Sequence, residues 1–306
     1  MADLGRPLTG DQIHSFHEQG YLCLEQVLAA VDLEPLIAEF TAIVDREART
    51  LRAQGLIDSL FEECGFDTRL AKITKQSPAA FRTLFFRMHT GPAMFELIRN
   101  PKLLDLAASL VGPELACHPN YKVRPKLPDY AATDVQWHQD AAYMEPECDT
   151  VLTVTFWIPL VDATVENGCL EVIPSAHKQG ILRHCDLERS FYLDIPDDVR
   201  PPIQPVLLPV GFGGVVLLTN LTPHRSAPNR TNRARWSVDV RYQDAGQPTG
   251  YQPEGGFLVR SRVRPHAVVS SAEEFARIQT SHRAGPGPLR WRTAASLAAS
   301  PERALR

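Results

Sequence analysis

The chain has 306 residues, of which 44% are hydrophobic and 22% charged, enough apolar material for a large globular core. A net charge of −4 and a pI near 6.2 give none of the basic surface typical of proteins that bind nucleic acid or acidic membranes. The sequence opens without a positive-then-apolar leader and has no apolar run long enough to cross a bilayer, which predicts a cytoplasmic protein.

The six cysteines lie far apart and form no C-x-x-C pair. This spacing favours free thiols in a reducing cytosol over a structural zinc site.

Helical patterns dominate residues 9–112. Thr9, with Gln12 three positions later, predicts a capped helix that Gly20 ends, followed by a strand over Tyr21–Val27. Residues 56–80 are ambiguous. Further helices are predicted from Leu33 to Val44 with Gly55 beyond the end, over Ala79–Met88, over Met94–Ile98, and from Pro101 to a stop at Gly112.

After about residue 115, short β-rich runs separated by Pro, Gly, Asn and Asp predict an antiparallel sandwich or jelly roll. Residues 180–193 and 195–202 are irregular and fit an insertion or a lid. The predicted strands are Asn120–Arg124, Val135–Asp140, Val151–Pro159, Cys169–Ile173, Val206–Leu208, Gly214–Asn220 and Arg235–Tyr242, with a late loop or strand over Phe257–Ser261 and a last helix over Glu273–Gln279.

No repeat or linker divides the chain, so one domain over residues 1–284 is expected, with a helical part over about 9–112 and a β-roll over about 115–265. The Gly/Pro-containing and Ala/Ser/Arg-rich tail over 285–306 is expected to be poorly ordered.

His138 and Asp140 lie two positions apart in a predicted strand, so their side chains should project from the same face. His224 offers a second imidazole. Two imidazoles and one carboxylate form the facial triad of non-haem iron(II) oxygenases, which leaves half of an octahedral metal's positions open. An H-x-D triplet is common by chance, and the alternative is an exposed strand end that carries a polar pair.

The sequence after residue 213 strengthens the metal-site prediction. A buried strand is predicted to end in a turn just before His224, and Arg235 opens the next strand eleven positions later (235 − 224 = 11). The imidazole fits the metal site, and the guanidinium offers two parallel hydrogen bonds to a carboxylate.

Alternation along this last strand separates two kinds of side chain. If Arg235 points into the roll, the polar face lines a cavity and the apolar face meets the N-terminal helices; the alternative is a solvated polar face. Inside a cavity, Asp239 should pair with Arg241 or Arg235, because buried charges need partners. The polar face carries Arg235, Ser237, Asp239 and Arg241, and the apolar face carries Trp236, Val238, Val240 and Tyr242.

Three motifs together resemble the phytanoyl-CoA dioxygenase family: W-H-Q-D-A-A-Y at 137–143, the run from F-W-I-P to S-A-H-K at 156–178, and H-R-S-A-P-N at 224–229 with an arginine eleven after its histidine. Weaker similarity at residues 16–22 extends the resemblance to about 15–280. Two stretches depart from the family pattern: Ser175-Ala176-His177, where many relatives read Gly-Ser-His, and residues 56–95, which match little.

The resemblance implies a double-stranded β-helix, of the jelly-roll or cupin-like type, packed against N-terminal helices. It also implies an enzyme that uses Fe(II), 2-oxoglutarate and O2 and releases succinate and CO2. The residues that it assigns are the metal ligands His138, Asp140 and His224, the 2-oxoglutarate-binding residues Arg235 and Ser226, and the pocket residues Trp157 and Gln139.

Other candidates have weaker support. Lys122, Arg124 and Lys126 alternate with apolar residues and form either a solvated strand face or a pocket for an anionic substrate or cosubstrate, so Lys122 is a candidate cofactor-binding residue. The candidate substrate contacts are Tyr143, Arg241 and Arg260.

Asp140 favours hydroxylation or a related oxidation, because halogenating enzymes of this type have a small residue at the carboxylate position. The Ala-, Arg- and Pro-rich composition indicates a GC-rich bacterial source, where such enzymes tailor natural products. A small organic substrate of secondary metabolism is therefore expected, with the protein a monomer or small homo-oligomer. The alternatives are a cupin-like metal-dependent hydrolase or isomerase, and a non-catalytic β-roll binding protein.

Overall fold

The computed structural model describes residues 6–86, 89–186, 192–251 and 256–281. Its helices are α1 (Gly10–Gln19), α2 (Ala30–Ala53), α3 (Phe66–Gln76), α4 (Ala79–Phe86), α5 (Pro92–Ile98), α6 (Pro101–Val111) and α7 (Ala272–Ser281). Its strands are β1 (Tyr21–Leu24), β2 (Leu115–Cys117), β3 (Lys122–Lys126), β4 (Thr153–Pro159), β5 (Leu170–Val172), β6 (Cys185–Asp186), β7 (Leu193–Asp194), β8 (Val206–Leu208), β9 (Val215–Thr219), β10 (His224–Ser226), β11 (Arg235–Asp244) and β12 (Phe257–Arg260). Among the described helices, none is long and apolar enough to cross a membrane.

Helix α1 begins and ends as predicted. The Thr9 hydroxyl accepts from the Gln12 N–H, and the Gln12 side chain accepts from the Thr9 N–H at 2.9 Å. Gly20 then ends the helix in the left-handed region, with φ of 81°, which glycine adopts without a side-chain clash. This ending turns the chain directly into β1.

The ambiguous residues 56–80 contain α3 and the start of α4. Leu70 and Ile73 are buried, and the Arg69 guanidinium donates to Asp45 of α2 at 2.8 Å. Helix α3 is therefore held by contacts with α2, which lies well before it in the sequence.

Two antiparallel sheets form the roll. In the described part of the chain, the larger sheet has the order β1-β9-β4-β11-β2-β12, and β3 pairs with β11 as well. The smaller sheet has the order β10-β5-β8. An apolar cluster that includes Trp157, Leu170, Val172, Val216 and Leu218 joins the inner faces of the two sheets.

The helices cover the outer face of the larger sheet. Phe40 of α2 and Leu106 of α6 belong to one apolar cluster with the sheet residues. Along β9 the alternation is visible: Val215 and Leu217 belong to this helix-side cluster, whereas Val216 and Leu218 belong to the cluster inside the roll. This is the predicted arrangement of a β-roll packed against N-terminal helices.

The predicted strand Val135–Asp140 is wrong. Within it only His138 makes a bridge, to His224, and a 3₁₀ helix begins at Asp140. The chain turns here because the Ala141 N–H donates to Asn220 O at 2.9 Å, so Asp140 leaves the extended path. The tail predicted to be poorly ordered, 285–306, lies outside the described residues, and the single domain over 1–284 stays a prediction.

Candidate metal centre

His138 and His224 lie side by side at the end of the roll. The N–H of His138 donates to His224 O at 3.0 Å, and the N–H of His224 donates to His138 O at 2.9 Å. This two-way backbone pair fixes the imidazole rings with their centroids 4.1 Å apart.

Asp140 joins this pair from the start of the 3₁₀ turn. Potential ligand atoms of His138, Asp140 and His224 all lie within 4.8 Å of one another, and all three residues are buried, with 2–6% of their surface exposed. The predicted strand was wrong, yet the three side chains converge as the sequence predicted.

The second nitrogen of each ring determines which nitrogen is free to bind a metal. His138 Nδ1 lies 2.8 Å from Gln136 O, and His224 Nδ1 lies 2.9 Å from Thr222 O. A carbonyl oxygen only accepts, so each Nδ1 carries the proton and each Nε2 has a free lone pair. Burial lowers the pKa of both histidines, which favours the neutral rings that metal binding requires.

Asp140 is ionised although it is buried. Burial acts against its charged form, but Arg241 holds the pKa of Asp140 far below its usual range. The Arg241 Nη2 donates to Asp140 Oδ1 at 2.8 Å, and Arg241 Nε donates to Oδ2 at 3.0 Å. Thr155 Oγ1 also donates to Oδ2, at 2.5 Å. Two neutral imidazoles and one carboxylate, all buried, match the ligand set of a non-haem iron(II) site.

A cavity opens beside the three residues. Including the part open to solvent, the volume between its walls is about 520 Å³. Of the predicted site residues, it is lined by His138, Trp157, His224, Ser226 and Arg235. Additional lining side chains that carry charge or a hydroxyl are those of Arg124, Lys126, Thr133, Thr155, Tyr192, Arg225, Asp239 and Arg241.

Arg235 is a buried cation in the wall of this cavity, with 2% of its surface exposed. Its Nη1 donates to Ser237 Oγ at 2.6 Å and its Nε to Gly168 O at 3.2 Å, and the guanidinium lies over the Trp157 ring, 4.9 Å from its centroid. Among the described residues no carboxylate pairs with it. Burial and then the charge of Arg124 lower the pKa of Arg235 to about 10, so it stays charged at neutral pH.

Ser226 contacts a second buried cation. Lys126 Nζ donates to Ser226 Oγ at 3.0 Å and to Asp134 Oδ1 at 2.8 Å. Burial lowers the pKa of Lys126 to about 8. Lys122, on the same strand, is half-buried and is not among the residues that line the cavity.

Gln139 is fully buried and connects the loops behind the three candidate ligands. Its side-chain amide donates to Gly180 O at 2.8 Å and to Leu221 O at 2.7 Å, and its side-chain oxygen accepts from the Leu182 N–H at 2.8 Å. It is not among the cavity-lining residues.

The candidate substrate contacts separate into three cases. Arg260 pairs with Asp105 at 2.6 Å and is not among the residues that line the cavity, and its contact with substrate stays a prediction. Arg241 lines the cavity, but its guanidinium is hydrogen-bonded to the Asp140 carboxylate. Tyr143 packs edge-on against the His138 ring, and its contact with substrate stays a prediction.

Thr155 is a functional candidate that the sequence analysis did not single out, and Lys126 was named there only with Lys122 and Arg124, as part of a solvated strand face or an anion pocket. The available signal for Thr155 was the period-two alternation of a strand, which places it on the same face of β4 as Trp157. Asp239 pairs with Arg241 at 3.2 Å, as predicted, and also with Arg124 at 2.8 Å. The insertion or lid predicted over 180–193 and 195–202 stays a prediction, and residues 187–191 lie outside the described part.

Comparison with known proteins gives a consistent result. The family model described as phytanoyl-CoA dioxygenase (PhyH) matches residues 16–237. The chain is 25% identical over 268 residues to phytanoyl-CoA dioxygenase domain-containing protein 1 of Bos taurus, covering 78% of this chain and 91% of the relative. It is 27% identical over 286 residues to methylphosphonate hydroxylase of Gimesia maris, covering 90% of each chain.

A solved structure shares the fold. The non-heme monooxygenase ThoJ, in its apo form, aligns with a TM-score of 0.62 and 22% identity, over 89% of this chain and 94% of that chain. The predicted jelly-roll class with flanking helices is confirmed.

Proposed function

Because the chain belongs to the phytanoyl-CoA dioxygenase family of Fe(II)- and 2-oxoglutarate-dependent oxygenases, we propose that it hydroxylates a small organic substrate beside His138, Asp140 and His224. The enzyme uses Fe(II), 2-oxoglutarate and O2. One observation carries the assignment of the site: both Nδ1 atoms are bonded to carbonyl oxygens, so both Nε2 lone pairs and the Asp140 carboxylate are available to one ion.

The residues around the proposed metal site have separate roles. His138 Nε2, His224 Nε2 and an Asp140 oxygen would hold the ion, and these three protein ligands would leave room for the cosubstrate and O2. Bound iron supplies the redox chemistry that couples decarboxylation of 2-oxoglutarate to substrate oxidation. Most of the cavity walls are buried side chains, which limits the water around the reacting groups.

Arg235 is proposed to bind the distal carboxylate of 2-oxoglutarate. A buried guanidinium without a carboxylate partner is unfavourable until an anion reaches it. Trp157 supports the guanidinium from one side, and Ser226 and Lys126 add a hydroxyl and a second positive charge to the cavity wall. A cupin-like hydrolase or isomerase would leave Arg235 without a stated role.

The charges around the cavity favour a substrate with a negative group. Five cations line it, and four carboxylates pair with them, so the protein contributes 5 − 4 = +1 in the described residues. Fe(II) and the 2-oxoglutarate dianion cancel each other, which leaves the surplus for the substrate. The name of the Gimesia maris relative, methylphosphonate hydroxylase, also denotes an anionic substrate. The cations are Arg124, Lys126, Arg225, Arg235 and Arg241, and the carboxylates are those of Asp134, Asp140, Glu171 and Asp239.

The metabolic role, location, oligomeric state and partners of the protein are predicted from the sequence alone and stay predictions. They comprise a role in secondary metabolism, a cytoplasmic location, a monomer or small homo-oligomer, and no nucleic-acid or membrane partner.

The proposed metal site is tested by replacing Asp140 with Ala. We expect 2-oxoglutarate turnover, measured as succinate formed with Fe(II) under air, to fall at least roughly 100-fold, because one of three ligands is lost. Asp11→Ala, at an exposed position of α1, is the matched control and should keep wild-type turnover. Wild-type succinate formation in the Asp140→Ala variant would refute the assignment.

A further inference from the structure

The Asp140 carboxylate is held by a pair of residues that face each other on two neighbouring strands. Arg241 of β11 and Thr155 of β4 are directly paired in the antiparallel register. Asp140 comes from a separate segment and places its side chain against both. All three residues are buried, with 2% of their surface exposed.

The two oxygens of Asp140 have different surroundings. Oδ2 accepts from Thr155 Oγ1 at 2.5 Å and from Arg241 Nε at 3.0 Å. Within the described part of the chain, Oδ1 accepts a hydrogen bond from Arg241 Nη2 alone, at 2.8 Å, and it lies 3.9 Å from His138 Nε2. A carboxylate oxygen has two in-plane lone pairs, so Oδ2 is saturated while Oδ1 keeps one for an ion.

Arg241 is itself held in place. Its Nη1 donates to Asn120 O at 2.7 Å and to Asp239 Oδ2 at 3.2 Å, and Asp239 Oδ1 accepts from Arg124 Nε at 2.8 Å. The guanidinium is therefore fixed on both sides, and it cannot rotate away from Asp140 without breaking several buried hydrogen bonds.

We propose that Thr155 and Arg241 are positioning residues that restrict Asp140 to binding the metal through Oδ1 alone. The inference rests on the proposed function, because it assumes that Fe(II) binds at this site. It matters for the cosubstrate: a carboxylate that chelates through both oxygens takes one of the positions that a chelating 2-oxo acid and O2 require. Occupation of Oδ2 by two donors keeps that position free.

Thr155→Val tests the proposal, because valine keeps the shape of threonine and removes the hydroxyl. With Fe(II) bound under anaerobic conditions, we expect the dissociation constant of 2-oxoglutarate to rise roughly tenfold, since loss of a hydrogen bond to a metal ligand typically costs that much. The visible charge-transfer band of the iron–2-oxo acid chelate should shift or weaken at saturating 2-oxoglutarate. Thr155→Ser restores the hydroxyl and should restore both readouts.

Thr153→Val is the matched control, because Thr153 lies on the same face of β4 and its hydroxyl contacts Gln243 instead of Asp140. Thr153→Val should leave the 2-oxoglutarate dissociation constant and the charge-transfer band unchanged. Arg241→Lys keeps the charge but cannot donate from two nitrogens in the same fork. Arg241→Lys should weaken 2-oxoglutarate binding at least as much as Thr155→Val does. It tests the positioning role independently if the Thr155→Val variant does not fold.

The inference and the proposed function fail in different ways. Wild-type protein that binds neither Fe(II) nor 2-oxoglutarate contradicts both. Wild-type protein that forms the chelate, together with iron-loaded Thr155→Val and Arg241→Lys variants that show wild-type affinity and band, overturns the positioning role alone.

Discussion

The two faces of strand β11 are equally buried but carry opposite chemistry. Trp236, Val238, Val240 and Tyr242 are 0% exposed against the N-terminal helices. Arg235, Ser237, Asp239 and Arg241 are 0–2% exposed inside the roll. One strand thus separates an apolar layer from a charged one, and burial alone does not distinguish them.

The two faces of β11 contribute differently to the stability of the fold and to ligand binding. Burial of an aromatic or aliphatic side chain stabilises the fold, whereas burial of a charge costs free energy unless a partner compensates it. On the inner face Arg241 and Asp239 compensate each other, but Arg235 has no carboxylate partner in the described chain. The helix side should therefore control stability, and the roll side should control ligand binding.

Trp236→Ala should give the largest effect on the helix side. The indole is fully buried, stacks on Phe66 with centroids 4.5 Å apart, and donates from Nε1 to Phe66 O at 3.2 Å. We expect the free energy of unfolding, measured by urea titration, to fall by about 3–5 kcal/mol. Val31→Ala, at an exposed position of α2, should change it by less than about 0.5 kcal/mol. Weaker 2-oxoglutarate binding at unchanged stability would contradict the division between the two faces.

Arg235→Met should give the next largest effect, and on binding instead of stability. Loss of a buried charge partner should weaken 2-oxoglutarate binding by about 2–4 kcal/mol, or roughly 30- to 1000-fold, in an anaerobic titration of the Fe(II)-loaded protein. The free energy of unfolding of the ligand-free protein should fall by less than about 1 kcal/mol, because the lost charge was uncompensated. Arg260→Met, which removes a cation outside the cavity, is the control. A large fall in the free energy of unfolding of Arg235→Met, with unchanged affinity for 2-oxoglutarate, would contradict the role of Arg235 in binding.

The pH dependence of 2-oxoglutarate binding should give the smallest effect. Burial lowers the pKa of Lys126 to about 8, so its ammonium is charged below that pH and neutral above it. Arg235, with a pKa lowered to about 10, stays charged across this window. Affinity should therefore fall roughly three- to tenfold between about pH 7 and about pH 9. The Lys126→Met variant should bind more weakly with a flatter profile, and an equal slope in both proteins would exclude Lys126 as the cause.

Local patterns were sufficient for much of the fold. The capping box at Thr9 fixed the start of α1, and apolar spacing identified most of α2. Alternation along β11 predicted both of its faces, because a strand projects side chains with period two whatever its neighbours are. The candidate metal ligands His138, Asp140 and His224 were singled out because they stood in motifs that resembled a known family.

Contacts between distant segments account for what the sequence did not reveal. Residues 135–140 alternate like a strand, but their path is set by a backbone pair with His224 and by Asn220, more than 75 residues away. Arg241 looked like a candidate substrate contact because nothing near it in sequence indicates Asp140 as its partner. Helix α3 was missed because contacts with α2, including that of Arg69, stabilise it.

An anaerobic crystal structure with Fe(II) and 2-oxoglutarate tests the central claim most directly. We predict one metal ion bound by His138 Nε2, His224 Nε2 and Asp140 Oδ1, with the distal carboxylate of 2-oxoglutarate on Arg235. A metal ion held by other residues, or a distal carboxylate that lies away from Arg235, would contradict the account.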